Sequence, residues 1–305
     1  MENGPFKPLL DRALMKAFNK EKIDKQSQAL TRLVDYSTQV FARCWQSRQD
    51  SGYYHNGFFL LYRHALEMTD AIQVLISESC FGPCIPLLRS LFESVLSMEF
   101  ISRKDFENRS LALLTYYFNK QLDQLESRDP STEKGKNLIR KIRNDRFVPF
   151  VLPELKADYE TESSERRELL KSDEFAHLNS EHKRLKKERN LRFWCQLCDT
   201  GDKAISRFEQ LVNHLERTSE YEFHYRTWSE VSHARNFSRL LTEDTEGQQF
   251  HERMRSVHVY EDPGVSAATY MYQGVELLLA KYRPDEISVY ENWFDRTIKS
   301  ALQTG

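Results

Sequence analysis

Apolar residues return every third or fourth position along nearly the whole of this 305-residue chain. That rhythm constrains the fold more than any other feature, because it places one apolar stripe on each of a series of helices. In "SQALTRLVDYSTQVFARCW", Leu30, Leu33, Val34, Val40, Phe41, Cys44 and Trp45 keep the rhythm. A second helix is expected from about Tyr53 to Ser79, and a third through "IPLLRSLFESVLSMEFIS" to about Arg103. A fourth runs from about Phe106 to Glu126, with Leu111, Leu114, Phe118, Leu122 and Leu125 on one stripe. Only 10 Gly and 9 Pro are available for turns, and no segment alternates long enough for a sheet. No tandem repeat is visible. The expected class is all-α, a multi-helix bundle with a charged helical arm or hairpin.

Breaks in the rhythm set the boundaries. "FGPC" separates the second and third helices, with Gly82 suited to a helix C-terminus and Pro83 to the start of the next. After "RDPST", Ser131 or Thr132 can cap a short helix reaching about Arg143. "RFVPFVLPEL" reads as an extended connector. Asp158 to Arg192 is dense in charge, with Leu169, Leu170, Phe175, Leu178 and Leu185 as its few anchors. Helical rhythm returns with "WCQLCDTGDKAISRFEQLVNHL", then a helix from about Tyr221 to Leu241, the loop "VHVYEDPG", and two closing helices. The reading is one helical domain over 1–305: N-terminal helices 1–52, core helices 53–153, a charged arm 154–192 and C-terminal core helices 193–305.

A net charge of −2 supplies no global field toward nucleic acid or an anionic membrane, so any phosphate contact needs a local patch. The opening "MENGPFKPLL" lacks signal-peptide character, and no run approaches the roughly 18 apolar residues of a membrane span. Five cysteines fit no small secreted scaffold, so a reduced, cytoplasmic protein is expected. Cys80, Cys84, Cys195 and Cys198 could together offer zinc four thiolates, but no knuckle glycines accompany Cys195 and both pairs read as core thiols. The carboxylates Glu67, Asp70, Glu93 and Glu99 lack the Glu-x-x-His partner of a di-iron bundle. No metal or cofactor is expected.

Two constellations carry candidate chemistry. "YRHALE" sets Arg63 four residues before Glu67, and "LRSLFE" sets Arg89 four before Glu93. Each pair shares a helix face. Within such apolar helices the four side chains form either an internal ion-pair network that fixes register or a polar pocket for an anionic ligand. In "YRTWSEVSHARN", Arg226, Ser229, Glu230 and His233 form one polar stripe, since seven helical residues return to nearly the same face. Histidine can take the proton of a ribose 2′-hydroxyl while arginine binds the phosphate. The same pattern also suits a hydrogen-bonded histidine at a helix contact. Arg48–His55, Arg207–His214, Arg217–His224 and Arg253–His258 repeat similar spacings, so spacing alone does not decide.

"LLRSLFESVLSMEFI", "FWCQLCDTGDKAI" and "YEFHYRTWSEVSHARN" follow one another as in a bacterial domain-of-unknown-function family, which this chain resembles over about residues 55 to 295 outside the arm. The motif residues are Arg89 and Glu93, Trp194, and Tyr225, Ser229 and His233; "YRPDEISVYENWF" is similar to that family's closing helix. The helix with Arg226 and His233 also resembles the HEPN superfamily of helical ribonucleases and nucleotide-binding proteins, whose hallmark is Arg, four to six residues, then His. Thr227 departs from the Asn, Asp or His common after that arginine. The resemblance implies a metal-independent ribonuclease or nucleotide-binding effector in phage defence or stress response. It acts on RNA or a nucleotide, commonly as a homodimer. His233 would be general base or acid, Arg226 the phosphate clamp, and Ser229 or Glu230 an orienting neighbour. The alternative is a non-catalytic sensor or scaffold that meets a protein partner through its charged arm.

Overall fold

The computed structural model describes residues 9–143, 145, 159–188, 190–198, 205–232, 240–243, 247, 249–251, 254–255 and 262–303. The fold is all-α. The first helices are α1 (Arg12–Phe18), α2 (Lys20–Gln46), α3 (Tyr54–Ser77), α4 (Phe81–Arg103), α5 (Phe106–Arg128) and α6 (Glu133–Ile142). Then come α7 (Tyr159–Leu169), α8 (Asp173–Lys187), a 3-10 turn (Trp194–Cys198) and α9 (Phe208–His214). The short α10 (Thr218–Glu220) runs through a π turn (Tyr221–Tyr225) into α11 (Arg226–Ser232). Last are α12 (Pro263–Tyr282), α13 (Ile287–Phe294), a second π turn (Asp295–Lys299) and α14 (Ser300–Gln303). No helix among the described residues is long and apolar enough to cross a membrane.

Two compact units divide the chain. One comprises residues 1–51, 58–104 and 211–305, the other 52–57 and 105–210. In the first, α4 is buried on nearly every side, with Leu88, Leu91, Phe92, Val95, Leu96 and Phe100 all inside. It packs on α12 and α11, and α12 in turn packs on α2. Gly274 of α12 faces α4: a Cβ there would make ordinary van der Waals contact with a Val95 methyl, at 3.7 Å. Asp262 caps α12 by accepting from the Gly264 and Val265 N–H groups, with Pro263 in the first turn. On α2 the buried positions Ile23, Gln26, Leu30, Leu33, Ser37, Val40 and Cys44 alternate three and four apart, a heptad seam. Phe41 and Trp45 of α2 meet Phe59 of α3 edge-on, at 5.2 and 5.0 Å between ring centres.

The second unit gathers on α5, which packs on α6, α7, α8 and the 3-10 turn. The charged arm is helical where described, and its anchors Leu170, Phe175, Leu178 and Leu185 are buried. Phe175 meets Phe118 at 5.9 Å and Tyr53 at 5.5 Å. Around this apolar contact, Lys134 reaches Asp123 and Glu126 at 2.6 and 2.7 Å, and Lys186 also pairs with Asp123.

Several ends differ from the sequence reading. The second helix closes at Ser79, as its expected span has it, but Ser79 rather than Gly82 is the closing residue. Ser79 takes a left-handed φ of 60°, and bonds Cys80 N–H to Leu75 O at 2.7 Å and Ser79 N–H to Ile76 O at 2.8 Å form a Schellman closure. Gly82 and Pro83 fall inside the first turn of α4, where a missing N–H is harmless. The helix expected to reach Leu241 is described only to Ser232, and Leu241 opens a small antiparallel hairpin, Leu241–Glu243 with Gln249–His251. The proline-rich connector and most of "VHVYEDPG" lie outside the described residues.

Candidate functional site

The site is built where α11 lies on α4. A helix places neighbouring residues about 100° apart, so Tyr225 and Trp228 turn inward while Arg226 and Glu230 face solvent. Trp228 is enclosed by Phe92 and Tyr270, both edge-on, at 6.1 and 6.0 Å. Tyr225 contacts Phe92 at 5.8 Å. These rings fix the inner face of α11.

Polar bonds then join the two helices. Arg89 Nε donates to Glu93 Oε1 at 3.0 Å and to the Tyr225 hydroxyl at 3.1 Å. Tyr225 donates in turn to Glu93 Oε1 at 2.7 Å. Arg89 Nη1 donates to Ser229 Oγ at 3.3 Å, and the guanidinium lies 5.0 Å from the Tyr225 ring centre. Burial works against the charge on Arg89, but Tyr225 and Glu93 outweigh it and raise the arginine pKa. Burial, reinforced by Glu93, raises the Tyr225 phenol. Tyr225 is therefore a neutral donor and acceptor at neutral pH.

Arg226 is placed differently. Its side chain is 57% exposed, and Nε lies 3.0 Å from Glu222 one turn back. The guanidinium also rests 5.7 Å from the Tyr221 ring centre. Glu230 is exposed and Ser229 half-buried. His233 lies outside the described residues.

The expected four-residue pocket is thus divided. Arg89 and Glu93 join α11, whereas Arg63 and Glu67 form a surface pair at 2.7 Å, exposed by 63% and 52%. The buried face of α3 runs through Phe58, Tyr62, Ala65, Thr69 and Ile72, which turns Arg63 and Glu67 outward. Trp194 is buried in the second unit. Cys80 and Cys84 belong to the first unit, Cys195 and Cys198 to the second. Burial pushes the thiols of Cys84 and Cys198 up to about 12, so both are protonated at neutral pH.

A second polar network escaped the sequence reading. Arg217 Nη1 reaches Glu99 at 3.1 Å, and Nη2 reaches Glu220 at 2.8 Å and Gln273 at 2.9 Å. Arg103 donates to Glu99 at 2.6 Å and to the Leu215 carbonyl at 3.0 Å. Burial opposes the charge on Arg217, yet Glu220 and Glu99 raise its pKa. The signal was present as Glu99–Arg103 and Arg217–Glu220 at helical spacing, the first in reversed order from the other pairs.

The model of a family of unknown function, DUF5677, matches residues 55–249. No curated protein and no solved structure matches the chain.

Proposed function

This chain belongs to DUF5677, a family of unknown function, and from that premise we propose that it is a HEPN-like, metal-independent ribonuclease or nucleotide-binding effector of phage defence or stress response, acting as a homodimer. One observation carries the reading: Arg226 is exposed, and the partners found for it among the described residues, Glu222 and Tyr221, lie on its own helical segment. A surface pair of this kind is worth under about 1 kcal/mol, so a phosphate can displace Glu222.

In the proposed reaction His233 takes the proton of a ribose 2′-hydroxyl, and the 2′-oxygen attacks the adjacent phosphorus. The bond from phosphorus to the 5′-oxygen breaks, leaving a 2′,3′-cyclic phosphate. The departing 5′-oxygen takes a proton from water and becomes a hydroxyl, and His233 returns its own proton to solvent. Arg226 binds the phosphate oxygens and offsets the charge that grows on them. Ser229 or Glu230 is the orienting neighbour. The test is RNA cleavage by the purified chain in chelator, beside Arg226→Ala and His233→Ala variants checked by thermal melting. Cleavage lost in both folded variants supports the reading. Cleavage absent from the wild-type chain refutes the ribonuclease.

A second reading has its own observation. Arg89 spends its guanidinium on Glu93, Tyr225 and Ser229, which suits a helical scaffold that binds a ligand or protein without catalysis. There, Arg226→Ala would leave partner binding through the charged arm intact.

A further inference from the structure

We propose that Arg89 is a positioning residue that sets the direction in which the Arg226 stripe faces; the proposal rests on the ribonuclease reading. The helix from Thr218 to Ser232 contains a π turn, in which the Arg226 N–H bonds to the Tyr221 carbonyl five residues back. Such a turn holds one residue more than an α turn and is the less favourable form, so it persists where outside contacts hold it. Arg89 supplies those contacts from α4. It grips Tyr225, the last residue of the π turn, at 3.1 Å and Ser229, one turn further on, at 3.3 Å. One guanidinium thereby clamps the helix on either side of Arg226. Glu93 completes the clamp, since it accepts from both Arg89 and Tyr225.

The consequence is rotational. With Tyr225 and Ser229 held against α4, Arg226 follows Tyr225 by about 100° and stands in solvent. If the clamp is lost, the π turn can relax to an α turn and every later side chain shifts in phase. Arg89 touches no substrate in this scheme and acts through Tyr225 and Ser229. A fork of two fixed donors is needed, which lysine cannot reproduce.

The experiment compares Arg89→Lys and Tyr225→Phe with wild type and Arg226→Ala, reading kcat and KM for RNA cleavage in chelator together with melting temperature. Amide hydrogen exchange is followed over residues 221–232. Arg89→Lys and Tyr225→Phe are expected to lower kcat about 10- to 100-fold, as for a misplaced group, with KM within about twofold and faster exchange in that segment. Two independent substitutions guard against one that merely fails to fold. If both variants are folded and keep wild-type kcat while Arg226→Ala is inactive, the positioning role is overturned and the ribonuclease stands. If the wild-type chain cleaves no RNA, both fall together.

Discussion

Arg63 and Arg89 are spelled alike, each four residues before a glutamate, yet they do different things. Arg63 stands in solvent on α3, while Arg89 is held, among the described residues, by Glu93, Tyr225 and Ser229 on two helices. Arg63→Ala should therefore change stability by no more than about 0.5 kcal/mol. Arg89→Ala should lose about 1.5–3 kcal/mol, the usual worth of hydrogen bonds to a charged group; denaturant titration of both variants checks this. The motif was legible in the sequence, but its surroundings were not. Arg63 could have been placed by the outward side of the stripe Phe58, Tyr62, Thr69. Arg89 needed the knowledge that α11 lies across it. His182 gives a pH-dependent prediction. It is buried, its Nδ1 has no hydrogen-bond partner among the described residues, and burial, then Lys186, holds its pKa down at about 4 from 6.5. The unfolded chain binds this proton first as pH falls from 6.5 toward 4, so stability falls over that window. His182→Leu should gain stability relative to wild type as pH drops from 7 to 4.5, measured by melting at each pH.

At the scale of elements, capping was the most legible feature. Thr132 accepts from the Gly135 N–H at 3.0 Å as a cap should, and Thr132→Ala should cost about 1 kcal/mol. The end of α3 near Ser79 was legible, but its closing residue was not: Gly82 suited a helix C-terminus, and nothing local announces that Ser79 adopts the left-handed conformation instead. Close approach between elements is equally silent in sequence. Gly57 sits against α5 so tightly that a Cβ would lie 2.7 Å from the Ser110 carbonyl oxygen. Gly57→Ala should destabilise by about 1–3 kcal/mol through overpacking, despite alanine's better helix propensity. A variant as stable as wild type by denaturant titration would show that the contact relaxes freely. The π turn was invisible too, since Tyr221 to Tyr225 fits an ordinary helical rhythm until Arg89 is seen to bind it.

For the whole molecule, the all-α class followed from rhythm, whereas the division into units did not, because the first unit is assembled from three separated stretches. The segment matched by the family model, 55–249, contains α4 but neither α2 nor α12. Since α12 packs on α4 and α2, a fragment of residues 55–249 should lose cooperative melting and bind a hydrophobic dye. The full chain should do neither. The same interleaving orders the events of synthesis. The second unit is complete once residue 210 has left the ribosome, while α4, translated earlier, must wait for Tyr282. At translation speeds of roughly 5–20 residues per second, the apolar faces of α4 stay without their last cover for on the order of 10 seconds. During that interval its exposed apolar surface would favour capture by chaperones over solution, and a stalled ribosome would prolong that exposure.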